Sequence, residues 1–107
     1  MKSKAPVAFR EFVKRFPELG EAWNAMRRAE AGAGPLDERT RRLVKLAAAV
    51  GSGRRGGVTS GVRKSLAAGV TQEELDQVVA CAASVVGMPA AVAAYGWIRE
   101  AAEEAGE

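Results

Sequence analysis

The chain of 107 residues contains no histidine and a single cysteine. Without histidine, no Ser-His or Cys-His nucleophile pair can form, and no zinc or haem site can use an imidazole ligand. One cysteine permits no disulfide within the chain, so we expect a cytoplasmic protein. We also predict no bound metal and no cofactor. Without imidazole groups, any chemistry would rest on carboxylates, Lys and Arg side chains, Tyr95, Cys81 or, against this prediction, a bound cofactor.

Long apolar runs are also missing from the sequence. A membrane span needs about 18 apolar residues, and Lys45 and the segment Gly51–Gly57 interrupt the best candidate. Met1–Pro6 lead into charged residues rather than into the apolar part of a secretory signal. We therefore expect no secretory signal and no membrane partner. Apolar residues still make up 48% of the chain, enough for the core of one domain over residues 1–107.

Helical spacing and helix punctuation recur along the chain. The first segment carries apolar residues at the spacing of one helix face: Phe9, Phe12, Val13 and Phe16. Asp37 is a suitable N-cap for a later helix, and Thr71 with Glu74 forms the pattern of a capping box. Alanine, the best helix former, is abundant. No alternating strand pattern occurs, and the sequence therefore predicts an all-α fold of about six helices.

Charge is distributed unevenly between the two ends of the chain. Residues 1–64 carry fifteen Lys and Arg against six Asp and Glu, a net charge of +9, whereas residues 65–107 carry one against seven, a net charge of −6. Opposite charges of this kind can complement each other within one subunit or across a symmetric interface. The alternative is that they are solvated helix faces with no partner.

The helix expected after Asp37 has a basic stretch: Arg39, Arg41, Arg42 and Lys45. Such a stretch could contact the phosphates of a nucleic acid. However, no helix-turn-helix spacing is present, and the acidic C-terminal third weakens the positive field. A nucleic-acid partner is therefore disfavoured and stays only the third of the functional alternatives.

A glycine-rich segment with two arginines is the most informative motif. Gly51–Gly57 contains four glycines with Arg54 and Arg55, and it opens a predicted helix. Backbone N–H groups at a helix start, together with guanidinium groups, favour a carboxylate or a phosphate. The segment is not a Walker loop, and it follows a helix rather than a strand, which disfavours dinucleotide binding. The alternative is a flexible turn with exposed arginines.

Several segments in order resemble the carboxymuconolactone decarboxylase family, which includes the alkylhydroperoxidase-D-like proteins. They are Leu36–Val50, Val62–Leu75 and Gly87–Ala91, preceded by Phe16–Trp23, which is similar to the N-terminal helices of short members. The resemblance implies the family's helical fold and assembly into trimers or hexamers. We therefore expect a homo-oligomer.

The resemblance also shows which functional residues of the family are replaced. Peroxidase-type members carry Cys-x-x-Cys-x-x-x-His and a preceding glutamate. On this chain the cysteine positions fall on Arg54 and Gly57, the histidine on Gly61 and the glutamate on Arg42. A peroxidase of the Cys-x-x-Cys type is therefore not expected. The decarboxylase branch matches at Arg54, but its glutamate near Gly57 and its histidine at Gly61 are absent.

These observations predict a non-peroxidase member that binds a small anionic ligand, or a non-catalytic paralogue. The predicted ligand-binding residues are Arg42, Arg54, Gly57 and Gly61. No catalytic residue is assigned. The enzyme alternative is a divergent decarboxylase or related enzyme acting on a small ring carboxylic acid or lactone, with Arg54 holding the carboxylate. Cys81, between two alanines of an apolar helix, is expected to be a buried small hydrophobe.

Overall fold

The computed structural model describes residues 5–106, in which the chain forms six α-helices and no strand. The helices are α1 (Val7–Arg15), α2 (Pro17–Ala31), α3 (Glu38–Ser52), α4 (Arg55–Ala67), α5 (Gln72–Val86) and α6 (Met88–Ala105). The predicted all-α fold is thereby confirmed. Most of the segment tested for a secretory signal lies outside the described residues. No helix within them is long and apolar enough to cross a membrane.

The predicted helix starts are confirmed by their hydrogen bonds. The Asp37 carboxylate accepts a bond of 2.8 Å from the Thr40 N–H at the start of α3. At the start of α5, Thr71 Oγ1 accepts from the Glu74 N–H at 3.2 Å, and Glu74 Oε1 accepts from the Thr71 N–H at 2.8 Å. Each cap satisfies N–H groups that have no partner inside the helix.

Helices α3–α6 form one compact unit, which covers residues 37–106. In it α3 packs against α4, α5 and α6, and α6 also packs against α4 and α5. The following residues are buried at the centre: Leu46, Val50, Val58, Val62, Val70, Leu75, Val79, Ala91, Ala94, Ile98 and Ala101. Burying one such Leu or Val side chain contributes roughly 1.5–3 kcal/mol. Ser65 is buried among them, and its hydroxyl has no hydrogen-bond partner among residues 5–106.

Helices α1 and α2 form a second compact unit, which covers residues 5–36. They pack closely at Gly20, where a Cβ atom would lie 3.1 Å from the Cβ of Val13. Neither helix has a buried residue. Their exposed large side chains are Val7, Phe9, Phe12, Phe16, Leu19, Trp23 and Met26. The single domain over residues 1–107 stays a prediction.

Candidate functional site

The start of α4 presents a positively charged and uncapped helix end. Arg54 is its N-cap residue, is exposed, and makes no side-chain cap hydrogen bond. No ion pair joins Arg54 to any residue between 5 and 106, and the first turn contains no acidic residue. The first N–H groups of a helix have no acceptor inside it, and they lie at the positive end of its dipole. This end of α4 can therefore attract an anion.

The residues next to Arg54 leave that helix end open. A Cβ atom added at Gly56 would meet nothing within 4 Å. Arg55 turns away from the helix end, since its guanidinium donates a hydrogen bond of 2.8 Å to the Glu100 carboxylate on α6. Arg54 is thus the unpaired cation at this position.

Gly57 and Gly61 lie on the side of α4 that faces α3. A Cβ atom at Gly57 would lie 3.4 Å from the Cβ of Ala49, and one at Gly61 would lie 3.1 Å from Leu46 Cδ1. Because Leu46 is fully buried, it has little room to give way. These two glycines therefore serve close packing between the helices. Gly57 is also next to Arg54, whose Cβ lies 3.8 Å from the same added atom.

Arg42 lies near the other end of α3. Its guanidinium is 3.9 Å from the carboxylate of Glu38, one turn closer to the N-terminus of that helix. From Arg42 to the end of α3 the helix continues for about 15 Å, in the direction opposite to Glu38. The structure therefore brings Arg54 and Gly57 together, places Gly61 one turn further along α4, and leaves Arg42 apart from them.

A groove between α3 and α5 is a second candidate site. The two helices run parallel, because Arg39 pairs with Glu74 near their starts and Gly51 approaches Val86 near their ends. The groove has a volume of about 520 Å³ and a mainly apolar lining: Leu43, Ala47, Gly51, Glu74, Gln77, Val78, Cys81, Ala82, Val85 and Val86. Both its volume and its mainly apolar lining are typical of sites that bind small molecules.

Cys81 is exposed and lines this α3–α5 groove, so the expectation of a buried cysteine is wrong. Helix α5 is apolar on two sides. One side, with Leu75 and Val79, is buried in the core, whereas Val78, Cys81 and Val85 follow each other along another. The spacing of this second series is that of one helix face, and this spacing was the feature of the sequence that could have placed Cys81 outside the core. The sequence does not show which of two apolar faces the core covers.

The ionised groups near the α3–α5 groove are held in their charged forms. The Arg39 guanidinium, and then the Thr71 N–H, lower the pKa of Glu74 from 4.5 to about 2. The hydrogen bond to Glu74 also raises the pKa of Arg39. A carboxylate with so low a pKa is a poor proton donor near neutral pH. Within residues 5–106, no cluster of three or more Cys, Asp or Glu side chains could hold a metal ion.

Comparison with known proteins identifies the family. The model of the carboxymuconolactone decarboxylase family matches residues 17–100, most of the sequence. The chain belongs to the carboxymuconolactone decarboxylase family. The fold is similar to the apo crystal structure of a carboxymuconolactone decarboxylase family protein from Legionella pneumophila, with a TM-score of 0.80 and 27% sequence identity. That similarity covers 94% of this chain and 88% of the other. No curated protein matches the sequence.

Family membership confirms the resemblance seen in the sequence. It also makes the start of α4 a candidate site, since Arg54 and Gly57 lie where the resemblance places the two cysteines of peroxidase-type members. Their assignment to a ligand site, with Arg42 and Gly61, stays a prediction.

Proposed function

We propose that this carboxymuconolactone decarboxylase family protein binds a small anion, a carboxylate or a phosphate, at the start of α4. The unpaired guanidinium of Arg54 beside an uncapped helix end is the observation that supports it. Arg54 would contact the anion, and N–H groups near Gly57 would add hydrogen bonds. Gly61 would keep α3 and α4 close, and Arg42 would contribute positive charge from a distance.

Ligand-induced thermal stabilisation tests this proposal. Sulfate, phosphate and small dicarboxylates are titrated into the wild type and into Arg54→Ala. A ligand that binds the native state at 100 times its Kd adds about 2.7 kcal/mol to the free energy of unfolding. We expect Arg54→Ala to lose most of the effect, and Arg28→Ala, which removes another exposed arginine, to keep it. Equal stabilisation of the wild type and Arg54→Ala would contradict the proposal.

The same positions favour a protein without thiol-peroxidase activity. Disulfide cycling of the family's type needs two neighbouring cysteines, and Cys81 is the one cysteine of the sequence. We expect no turnover of an organic hydroperoxide with a dithiol reductant. Turnover that disappears in Cys81→Ser would show a different thiol mechanism and contradict this part of the proposal.

A divergent decarboxylase is the second candidate function. Family membership favours it, together with Arg54, which matches the decarboxylase branch and could hold the carboxylate of a ring acid. NMR detection of product from a muconolactone-type substrate tests this candidate. Activity that falls at least tenfold in Arg54→Ala would support it over a binding protein without catalysis.

Self-association, as a trimer or a hexamer, is the third element of the proposed function. A chain of 11.2 kDa buries a smaller fraction of its surface on folding than a larger domain does, and its exposed apolar side chains include Phe12, Trp23 and Val92. Large exposed apolar patches mark interaction surfaces. Light scattering at micromolar concentration should report a multiple of the chain mass, and a monomer would contradict the proposal.

A further inference from the structure

One face of α1 is only about half covered. Its aromatic side chains form what we call the aromatic stripe: Phe9, Phe12 and Phe16, each 41–50% exposed. Phe12 and Phe16 contact each other with ring centroids 5.1 Å apart. Helices shorter than about 12 residues are marginal without tertiary packing, and α1 has nine. The stripe therefore needs an apolar partner surface.

A concave apolar surface lies between α5 and α6. This α5–α6 groove has a volume of about 300 Å³ and is lined by Asp76, Val79, Ala80, Ala83, Met88, Ala91, Val92 and Tyr95. Met88, Val92 and Tyr95 follow one another along a single face of α6 and are 43–65% exposed. The groove thus offers a hollow that aromatic side chains can fill.

Charge favours contact of the stripe with the groove over contact between two stripes or between two grooves. Helix α1 has three basic residues and one acidic residue, a net charge of +2, whereas α5 and α6 together have one basic and six acidic residues, a net charge of −5. Two stripes brought together would place like charges side by side, as would two grooves. Contact between stripe and groove joins opposite charges.

Individual side chains place these charges beside the apolar surfaces. The Arg15 guanidinium lies 4.8 Å from the centroid of the Phe16 ring, at the edge of the stripe. Helical spacing puts Glu103 on the same face of α6 as Val92. At that end of the groove, Arg99 is already engaged by Asp76 at 3.8 Å. The positive edge of the stripe can therefore meet a negative groove end.

The exposed area is large enough for a stable contact. Half-exposed aromatic side chains each leave on the order of 100 Å² free, so the stripe supplies roughly 300 Å². An equal area of groove and a second, reciprocal contact bring the total to about 1,200 Å², the lower bound for specific interfaces. Such reciprocity is a property of two-fold symmetric pairs, which a hexamer built from such pairs contains.

We propose that the aromatic stripe of one copy packs into the α5–α6 groove of a second copy. This inference rests on the proposed self-association and names the surfaces that produce it. The two surfaces are different, so each copy supplies both a stripe and a groove, and every pair of neighbours can form the contact.

Mixing two variants of the full chain tests this pairing. Phe12→Glu spoils the stripe and leaves the groove intact, whereas Val92→Glu does the reverse; both sites are exposed, so both variants should fold. Each variant alone should raise the dissociation constant of the oligomer at least tenfold. Their mixture should associate more tightly than either variant alone but more weakly than the wild type, because one of the two contacts of a mixed pair joins an intact stripe to an intact groove. A mixture that associates no more tightly than either variant alone would overturn the pairing.

Charge reversal gives an independent test that substitutes no apolar residue. Arg15→Glu and Glu103→Lys should each weaken association about tenfold, and the double variant should recover to within about threefold of the wild type. Glu104→Lys is the matched control, because Glu104 lies on the opposite face of α6. Equal effects of Glu103→Lys and Glu104→Lys, or no recovery in the double variant, would overturn the inference.

These outcomes separate the inference from the proposal beneath it. A wild type that is monomeric in light scattering contradicts self-association itself. A wild-type oligomer that keeps its mass in Phe12→Glu and in Val92→Glu contradicts only the stripe-to-groove contact and shows that other surfaces, such as the α3–α5 groove, hold the copies together.

Discussion

Helices α1 and α2, together with Phe16 between them, expose seven large hydrophobic side chains and have no buried residue, whereas every one of helices α3–α6 contributes buried residues to a common core. Both regions are amphipathic in sequence. The difference is that the four later helices cover each other's apolar faces, which two helices cannot do. Hydrophobic stabilisation of residues 37–106 thus comes from within that unit, and residues 5–36 lack this source of stability.

The largest expected contrast comes from the same substitution in the two regions. Leu75→Ala in the core should lower the free energy of unfolding by about 2–5 kcal/mol, because it removes a fully buried side chain and leaves a cavity. Leu19→Ala, at a residue that is 54% exposed in α2, should change it by less than about 0.5 kcal/mol. Urea denaturation at low chain concentration measures both, and equal losses would break the comparison.

Glycine-to-alanine changes should give opposite signs in the two regions. Gly69 follows α4 with a φ of 89°, which L-residues rarely adopt, so Gly69→Ala should cost about 1–2 kcal/mol. Gly34, between α2 and α3, has no positive φ and open space around it. Gly34→Ala should stabilise by about 0.4–1 kcal/mol, since it restricts the unfolded chain. Thermal unfolding of both variants measures the two signs.

Residues 37–106 should make a pH-dependent contribution to the free energy of unfolding. The native-state pKa of Glu74 is about 2, below its ordinary value of 4.5, because Arg39 and the Thr71 N–H bind the ionised form. The stability from this depressed pKa is fully present above about pH 4.5 and is lost as the pH falls towards 2. NMR titration should show the pKa of Glu74 rising towards 4.5 in Arg39→Ala.

The control for this titration is Arg28→Ala, which removes an exposed arginine from α2. It should leave the pKa of Glu74 unchanged. A Glu74 carboxyl that titrates alike in Arg39→Ala and in the wild type would show that the ion pair between α3 and α5 does not hold it.

The smallest expected effect concerns Cys81. Because its side chain is exposed in the α3–α5 groove, a thiol reagent should label it in the native protein without prior unfolding. Cys81→Ser should change stability by less than about 0.5 kcal/mol. Labelling only above the urea concentration that unfolds the core would show that the groove is closed in solution.

The sequence by itself determined the helical class and the helix starts. Asp37 and Thr71 act within four residues of their own position, so local hydrogen bonding is enough to predict them. The order of Leu36–Val50, Val62–Leu75 and Gly87–Ala91 likewise carried the family resemblance, which the family match confirms.

Only the tertiary structure decided which apolar faces are covered and which site residues meet. Helix α5 has two apolar faces, and packing buries Val79 while Cys81 stays exposed. Gly57 lies beside Arg54, but the part of α3 that follows Arg42 separates Arg42 from both. Such outcomes depend on the packing of helices distant in sequence, because helical periodicity specifies a face of a helix but not the neighbour that covers it.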